Sequence, residues 1–175
     1  LIVVRQYAHE IDGKFTWMDG ELIETEKATI PFLSSALHYG SAAFEGIRAY
    51  STAKGPAVFR LKEHMDRFIN SGLILGFRDI PYTSEELCQA VVDTVAANKM
   101  ESCYIRPLIF SDGLAYGLNL DAYKPRVGIA VWDMGIYLGE EALKAGIRAN
   151  VSSFTRHHPN VMLTKATSTR SYTNS

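Results

Sequence analysis

The sequence predicts an α+β fold, in which helices pack on an antiparallel or mixed sheet. Three observations support this prediction. Asp19-Gly20 separates two short runs of strand-like residues, as in a tight hairpin. From Lys62 onward, apolar residues recur with the spacing of a helix. The run 127–132 is almost wholly apolar, so we expect it to be a central strand.

The first part of the chain predicts two hairpins and then a helix. One hairpin spans 15–24, and the other spans 47–61 around the loop Lys54-Gly55-Pro56. The helix begins near Lys62, and Gly76 is placed to end it.

A second helix is predicted to begin near Ser84, because Thr83 and Glu86 have the spacing of a capping box. A strand over 102–110 follows it. The stretch 111–125, between that strand and the next, is rich in Gly, Asp, Asn and Tyr. We interpret it as a long loop, and long ordered loops are often functional.

The chain divides into three predicted parts. Residues 1–134 form an α+β domain, 135–139 a linker, and 140–175 the beginning of a second domain. Within the last part we expect a short helix over 140–144 and a strand over 148–154.

Composition excludes several classes of protein. The 175 residues are 47% hydrophobic and 21% charged, with a net charge of −1, so neither nucleic acid nor an anionic membrane is an expected partner. No apolar run approaches the roughly 18 residues that span a bilayer. Cys88 and Cys103 are too few for a disulfide scaffold and suit the reduced thiols of a cytoplasmic protein. The histidines lack the spacing of metal ligands, so no metal site is predicted.

The most informative segment consists of two short runs. Residues 36–40 are Ala-Leu-His-Tyr-Gly, and residues 44–48 are Phe-Glu-Gly-Ile-Arg. Glycines allow close approach of a ligand, aromatic rings provide apolar walls, and an arginine binds a carboxylate through two parallel hydrogen bonds. Taken alone, the segment is equally consistent with a tight turn that leads into a buried strand.

Three further blocks follow in order, at 58–67, 104–109 and 135–139. Together with the first segment they resemble the branched-chain amino acid aminotransferases, which are class IV pyridoxal-phosphate enzymes of fold type IV. The resemblance extends from about Trp17 to Ser175. It implies a homodimer of branched-chain amino acid biosynthesis that uses pyridoxal 5′-phosphate. Its small-molecule partners are amino acids and 2-oxo acids, because the amino group moves between leucine, isoleucine or valine and 2-oxoglutarate.

The resemblance also implies roles for individual residues. Arg67 matches the arginine that binds the cofactor's phosphate, and Tyr172 matches the tyrosine that bonds its phenolate oxygen. Matches to substrate-binding positions occur at Tyr39, Phe44, Arg48, Tyr104, Arg106 and Tyr137.

Each role has a plainer alternative when the residues are considered without the family. Arg67 can pair with Glu63 one helical turn away. Arg106, on a strand, can pair with a glutamate inside the core. Phe44 can be ordinary core, and Tyr172 can be a surface tyrosine.

The sequence departs from the family at the catalytic lysine. That residue is expected five positions before Tyr172, where this chain has Thr167, and Arg170 stands where glycine is usual. The nearest amine, Lys165, is the candidate catalytic residue. In an extended segment it would face the same way as Thr167, about 6.6 Å away. Threonine forms no Schiff base, so we expect the chain to bind cofactor poorly and to turn over little.

Other assignments stay open. One is a related class IV enzyme, either a D-amino acid aminotransferase or an aminodeoxychorismate lyase. Another is a non-catalytic remnant of the fold that keeps a dimer surface. Because family members continue into a second domain, we expect this chain to hold the first domain, the linker and only the opening of the second.

Overall fold

The strands pair antiparallel throughout, and they form one sheet in the computed structural model, which describes residues 11–111, 117, 119–135 and 144–172. The seven strands are β1 Phe15–Met18, β2 Glu21–Glu24, β3 Ala43–Phe44, β4 Ile47–Tyr50, β5 Ala57–Val58, β6 Cys103–Ser111 and β7 Pro125–Trp132. Their order is β2-β1-β7-β6-β4-β5, and β3 also pairs with β6. The α+β prediction is confirmed, and β7 is an inner strand as predicted.

The first hairpin turns at Asp19 and Gly20, whose φ angles of 51° and 103° are the positive values that a two-residue turn needs. The turn is also tied to β7. The Asp19 carboxylate accepts hydrogen bonds from Arg126 Nε at 2.6 Å and from the Val127 amide at 2.9 Å. A single aspartate therefore fixes both the turn and the position of the hairpin on the sheet.

The helices are α1 Ser35–Tyr39, α2 Leu61–Leu75 and α3 Ser84–Asn98. The predicted capping box begins α3: Glu86 accepts from the Thr83 amide at 2.7 Å, and Thr83 Oγ1 accepts from the Glu86 amide at 3.2 Å. Gly76 ends α2 with a φ of 98°, as predicted. Inside α2, a Cβ at Gly72 would lie 2.9 Å from side-chain carbons of Ile80 and Ile109, so glycine lets this helix approach the sheet.

One face of the sheet is buried against α2 and α3. Side chains on that face and on the two helices form the core: Ile47, Ala49, Met65, Phe68, Leu87, Val91, Ile105, Ile109, Val127, Ile129 and Val131. Because strand side chains alternate, the intervening residues point to the opposite face. We call that opposite side, which α2 and α3 do not cover, the open face.

The predicted strand over 148–154 is wrong. The structure has no strand there, and Val151 is 93% exposed. An alternating pattern alone does not make a strand, because its backbone groups need a pairing neighbour, and none of the described residues supplies one. The second hairpin is confirmed, although its returning strand is only β5 because α2 already begins at Leu61. The predicted helix over 140–144 and linker over 135–139 lie mostly outside the described residues.

Two further findings concern the described ranges only. None of their helices combines the length and apolar character required to cross a bilayer. Within the same ranges, His, Cys, Asp and Glu side chains form no group of three placed to hold a metal ion.

The buried thiol of Cys103 offers a test of how tightly the sheet is covered. Burial raises the pKa of Cys103 from 9.0 to about 11, so the thiol is protonated at neutral pH. Since only the thiolate reacts, we expect iodoacetamide at about pH 8 to modify Cys103 about a hundredfold more slowly in the folded protein than in guanidinium chloride. Mass spectrometry of the peptide checks this, and equal rates in both states would show that the core is open.

Candidate functional site

Five partly or fully buried residues gather on the open face, and we call them the open-face cluster: Phe44, Arg48, Tyr104, Arg106 and Trp132. Strand register brings them together, because Tyr104 lies opposite both Arg48 on β4 and Trp132 on β7. The Tyr104 and Trp132 ring centroids are 4.8 Å apart. Arg106 Cζ lies 4.5 Å from the Phe44 ring centroid. Four residues predicted to bind substrate therefore meet in one place, and Trp132 joins them.

The two arginines of the open-face cluster keep unused hydrogen-bond donors. Arg106 Nη2 donates to the Tyr104 hydroxyl at 2.8 Å, and Arg48 Nη2 donates to the Gly135 carbonyl at 3.2 Å. The Nε atom of each arginine is buried and has no hydrogen-bond partner among the described residues. A buried cationic donor without a partner is costly. Although these Nε atoms are enclosed, the two guanidinium groups carry positive charge beside aromatic rings, a combination that suits an anion such as a carboxylate.

Gly46 provides the space for this arrangement. It lies between Phe44 and Arg48, and a Cβ there would collide with the Tyr104 hydroxyl. The hydroxyl that accepts the Arg106 hydrogen bond thus occupies the volume of a missing side chain. A glycine at this point of the motif is explained by close packing rather than by a turn.

The segment 166–172 crosses the edge of the sheet beside β3. The Phe44 amide donates to the Thr167 carbonyl at 3.0 Å, and the Thr167 amide donates to Ser71 Oγ at 3.1 Å. Tyr172 follows, with its ring centroid 5.7 Å from that of Phe44. Tyr172 and Thr167 line a cavity of about 230 Å³ together with His157. The predicted cofactor tyrosine therefore borders the open-face cluster, although 57% of Tyr172 is exposed.

Arg67 lies on the helix-covered side, where it binds Glu45. Its Nε and Nη2 atoms donate to the two oxygens of Glu45, each at 2.6 Å. His64 Nδ1 lies 3.0 Å from Glu45 Oε2 and donates to that carboxylate. Glu45 is completely buried, and its hydrogen bonds raise the pKa of Arg67 above the ordinary arginine value. The alternative pairing of Arg67 with Glu63 is wrong, because Glu63 pairs with Arg60 at 2.9 Å.

Sequence reasoning missed Glu45, although the motif contains it. The signal was present: Ala43, Glu45, Ile47 and Ala49 share one face of a strand, and the glutamate is the charged member of an apolar row. A charge in such a position requires a partner in the core. The predicted core glutamate does exist, but it binds Arg67 and not Arg106.

Lys165 and Thr167 line different cavities, so the expectation that they face the same way is not met. Lys165 lies in a turn and lines a cavity of about 560 Å³ with Arg67, whereas Thr167 lines the smaller cavity with Tyr172. The extended geometry assumed for this segment is absent because the chain turns at residues 164–165. Arg67 and Tyr172 also line separate cavities.

Tyr39 ends α1 and is held through its backbone. Arg170 Nε donates to the Tyr39 carbonyl at 2.7 Å, and Arg170 Nη2 donates to Ser41 Oγ at 2.7 Å. Between them lies Gly40, with a φ of 63° and the Arg170 side chain packed against it. Arg170 thus ties segment 166–172 to the turn after α1. Tyr137 lies outside the described residues.

The described residues do not fit pyridoxal 5′-phosphate as a covalently attached group. Arg67 supplies a fixed cation and Tyr172 a phenol, but no described lysine lines the cavity of Tyr172. Thr167, which the resemblance aligns with the family's lysine, lines that cavity instead. Lys165 instead lines the cavity that Arg67 lines. Hydrogen bonding to a cofactor remains within the chemistry of these side chains, whereas Schiff-base formation at position 167 does not.

Comparisons with known proteins identify those that this chain resembles. The family described as amino-transferase class IV matches residues 42–175. A branched-chain-amino-acid aminotransferase from Pseudomonas aeruginosa is 46% identical over 159 residues, which cover 91% of this chain and 52% of that protein.

Solved structures show the same similarity. The Escherichia coli branched-chain amino acid aminotransferase superposes with a TM-score of 0.87 at 42% identity, over 91% of this chain and 53% of that one. The branched-chain aminotransferase of Thermoproteus uzoniensis, solved with norvaline, gives 0.83 at 41% identity, over 90% and 52%. The chain spans about half the length of the relatives it matches.

Substitution of Gly46 tests the packing of the open-face cluster. We expect Gly46→Ala to displace Tyr104, to break its hydrogen bond with Arg106, and to lower the free energy of unfolding by about 1–3 kcal/mol, measured in urea. Gly128→Ala is the matched control on the same sheet, because its Cβ would meet nothing nearer than the flexible end of Met18, at 3.4 Å. Equal effects of the two substitutions would contradict the role of Gly46.

Proposed function

Because the chain belongs to the class IV aminotransferases, we propose that it carries the substrate-binding part of a branched-chain amino acid aminotransferase. The reaction is transfer of an amino group between leucine, isoleucine or valine and 2-oxoglutarate, with pyridoxal 5′-phosphate as cofactor. The sequence identity to the Pseudomonas aeruginosa enzyme, 46% over 91% of this chain, supports this assignment.

The observation that carries the proposal is the grouping of two arginines with aromatic rings on the open face. A branched 2-oxo acid has a carboxylate at one end and an apolar branch at the other. Arg106 and Arg48 suit the carboxylate, and Phe44 and Trp132 suit the branch. A branched-chain amino acid aminotransferase that is 40% identical to this chain has been solved in complex with 4-methylvaleric acid, which is a ligand of this shape.

We propose Arg67 and Tyr172 as the residues that contact the cofactor, with the guanidinium toward its phosphate and the phenol toward its ring oxygen. The family resemblance supports this pair, and a shared cavity does not, because the two side chains line separate cavities. Pyridoxal 5′-phosphate supplies the means of labilising the bonds of an amino acid when it is bound. With Thr167 at the lysine position, this chain holds it without a covalent bond. The place of Lys165 beside Arg67 disfavours it as a substitute for the missing lysine.

A non-catalytic protein that keeps the open-face cluster is the second candidate. Thr167 favours it directly, because threonine provides neither the imine nor the amine that moves a proton in transamination. The two candidates share the substrate site and differ in whether turnover occurs, so binding and turnover must be measured separately.

We also propose that the protein acts as a homodimer. Phe32, Leu33 and Leu37, at and before α1, are 80%, 51% and 60% exposed. Large apolar side chains grouped on a surface mark an interface more often than a solvated face. Tyr39 lies in the same segment, so the interface would border the substrate site.

Substitution of Arg106 tests the carboxylate site. We expect Arg106→Met to weaken binding of 4-methyl-2-oxopentanoate by at least about tenfold, because a charge-assisted hydrogen bond is lost from a partly desolvated site. Isothermal titration calorimetry measures the affinity. Arg78→Met is the control, since that side chain is 78% exposed and pairs with Asp121 elsewhere. Unchanged affinity in Arg106→Met would refute the proposed site.

The lysine position is tested chemically. After incubation with pyridoxal 5′-phosphate and reduction with borohydride, we expect no more pyridoxyl label on Lys165 than on the exposed Lys54, because Lys165 is not paired with Thr167 and Tyr172 in one cavity. The Thr167→Lys variant should instead acquire label at position 167. Peptide mapping measures both. Selective labelling of Lys165 in the unchanged protein would restore it as the catalytic candidate.

A further inference from the structure

We propose that Glu45 is a positioning residue, which fixes the guanidinium of Arg67 for an anionic ligand of the phosphate-monoester class. This inference rests on the proposed function, in which Arg67 contacts a phosphate, and it assigns a role to a buried carboxylate that the reaction itself does not use. Glu45 acts through Arg67 and does not contact the ligand.

The first argument is the geometry of the pair. Both oxygens of Glu45 bind Arg67, at 2.6 Å each, and His64 Nδ1 adds a third hydrogen bond at 3.0 Å. The carboxylate is completely buried, whereas 55% of the Arg67 side chain is exposed. An arginine on a helix surface ordinarily samples many rotamers, and two parallel hydrogen bonds to a fixed carboxylate remove that freedom.

The second argument is what Arg67 has left to offer. Glu45 uses Nε and Nη2, while Nη1 makes no hydrogen bond within the described part of the chain. Arg67 lines two cavities, one of about 560 Å³ with Lys165 and Asn70, and one of about 370 Å³ with Arg60 and His64. The guanidinium therefore presents a fixed, partly exposed edge to spaces that also contain other cationic or amide donors. The same spaces contain the carboxylates of Glu63 and Asp66, which pair with Arg60 and Lys62.

Charge alone and positioning predict opposite results. If Glu45 merely contributed negative charge near the site, its neutralisation would strengthen the binding of an anion. If Glu45 positions Arg67, its neutralisation must weaken binding. In Glu45→Gln, the amide oxygen still accepts a hydrogen bond from one N–H of Arg67. The amide NH2 is a donor, so it cannot accept a hydrogen bond from the other N–H. The sign of the change therefore separates the two explanations.

The experiment measures the affinity for inorganic phosphate by isothermal titration calorimetry at low ionic strength. We expect Glu45→Gln to weaken binding by about tenfold, since one charge-assisted contact loses its orientation. Glu63→Gln is the matched control: Glu63 lines the same two cavities but pairs with Arg60, so its neutralisation should leave binding unchanged or make it tighter. Thermal unfolding reports whether each variant is folded.

Two further variants keep the test decisive if Glu45→Gln does not fold. Glu45→Asp preserves the charge but is one methylene shorter, so positioning predicts weaker binding whereas charge alone predicts no change. Arg67→Lys removes the guanidinium that Glu45 holds. Adding Glu45→Gln to that variant should then cause little further loss of phosphate affinity.

Equal or tighter phosphate binding in Glu45→Gln or Glu45→Asp would overturn the proposal. So would a failure of the unchanged protein to bind phosphate. A failure to bind phosphate would also count against the proposed contact of Arg67 with the cofactor. Neither result bears on 4-methyl-2-oxopentanoate binding by the open-face cluster, which carries the proposed function, so the two failures are distinguishable.

Discussion

The site depends on the register between β6 and the stretch from β3 to β4. Phe44 pairs with Leu108 and Ile47 with Ile105, so the pairing continues in one register across the two residues between them. Alternation then sends Glu45 under α2 and leaves its neighbours Phe44 and Gly46 on the open face. A shift by one residue would place the carboxylate among the aromatic rings and the phenylalanine in the core.

Because of this register, the arginines of the open-face cluster and Arg67 lie on opposite sides of the sheet. On the open face, Arg106 and Arg48 lie among aromatic rings, and the Nε atom of each has no hydrogen-bond partner among the described residues. On the helix side, Arg67 is already bound by a buried carboxylate. Segment 166–172 crosses the edge between these two sides, and Thr167 lies on it.

Local rules predicted much of the fold. The Asp19-Gly20 turn, the capping box at Thr83 and the helix end at Gly76 are each decided by a few adjacent residues, and each is confirmed. Glu45 and Arg67 are distant in sequence, and their pairing could not be predicted without knowing the register of the sheet. The strand predicted over 148–154 failed because pairing is a property of two segments. Lys165 lines its cavity because the chain turns at residues 164–165, and no sequence motif predicts that turn.

The hydrogen bonds of segment 166–172 to β3 have a consequence for solubility. Ala43 bridges to Ser168 on the side of β3 that faces away from β6. Without that cover, β3 would expose unpaired amides and carbonyls to any neighbouring chain, which is how edge strands begin to aggregate. Arg170 helps to hold this segment against the sheet, because it donates hydrogen bonds to the carbonyls of Tyr39 and Gly40. The segment that contains Thr167 and Arg170 therefore covers a strand edge that could otherwise pair with a strand of another molecule.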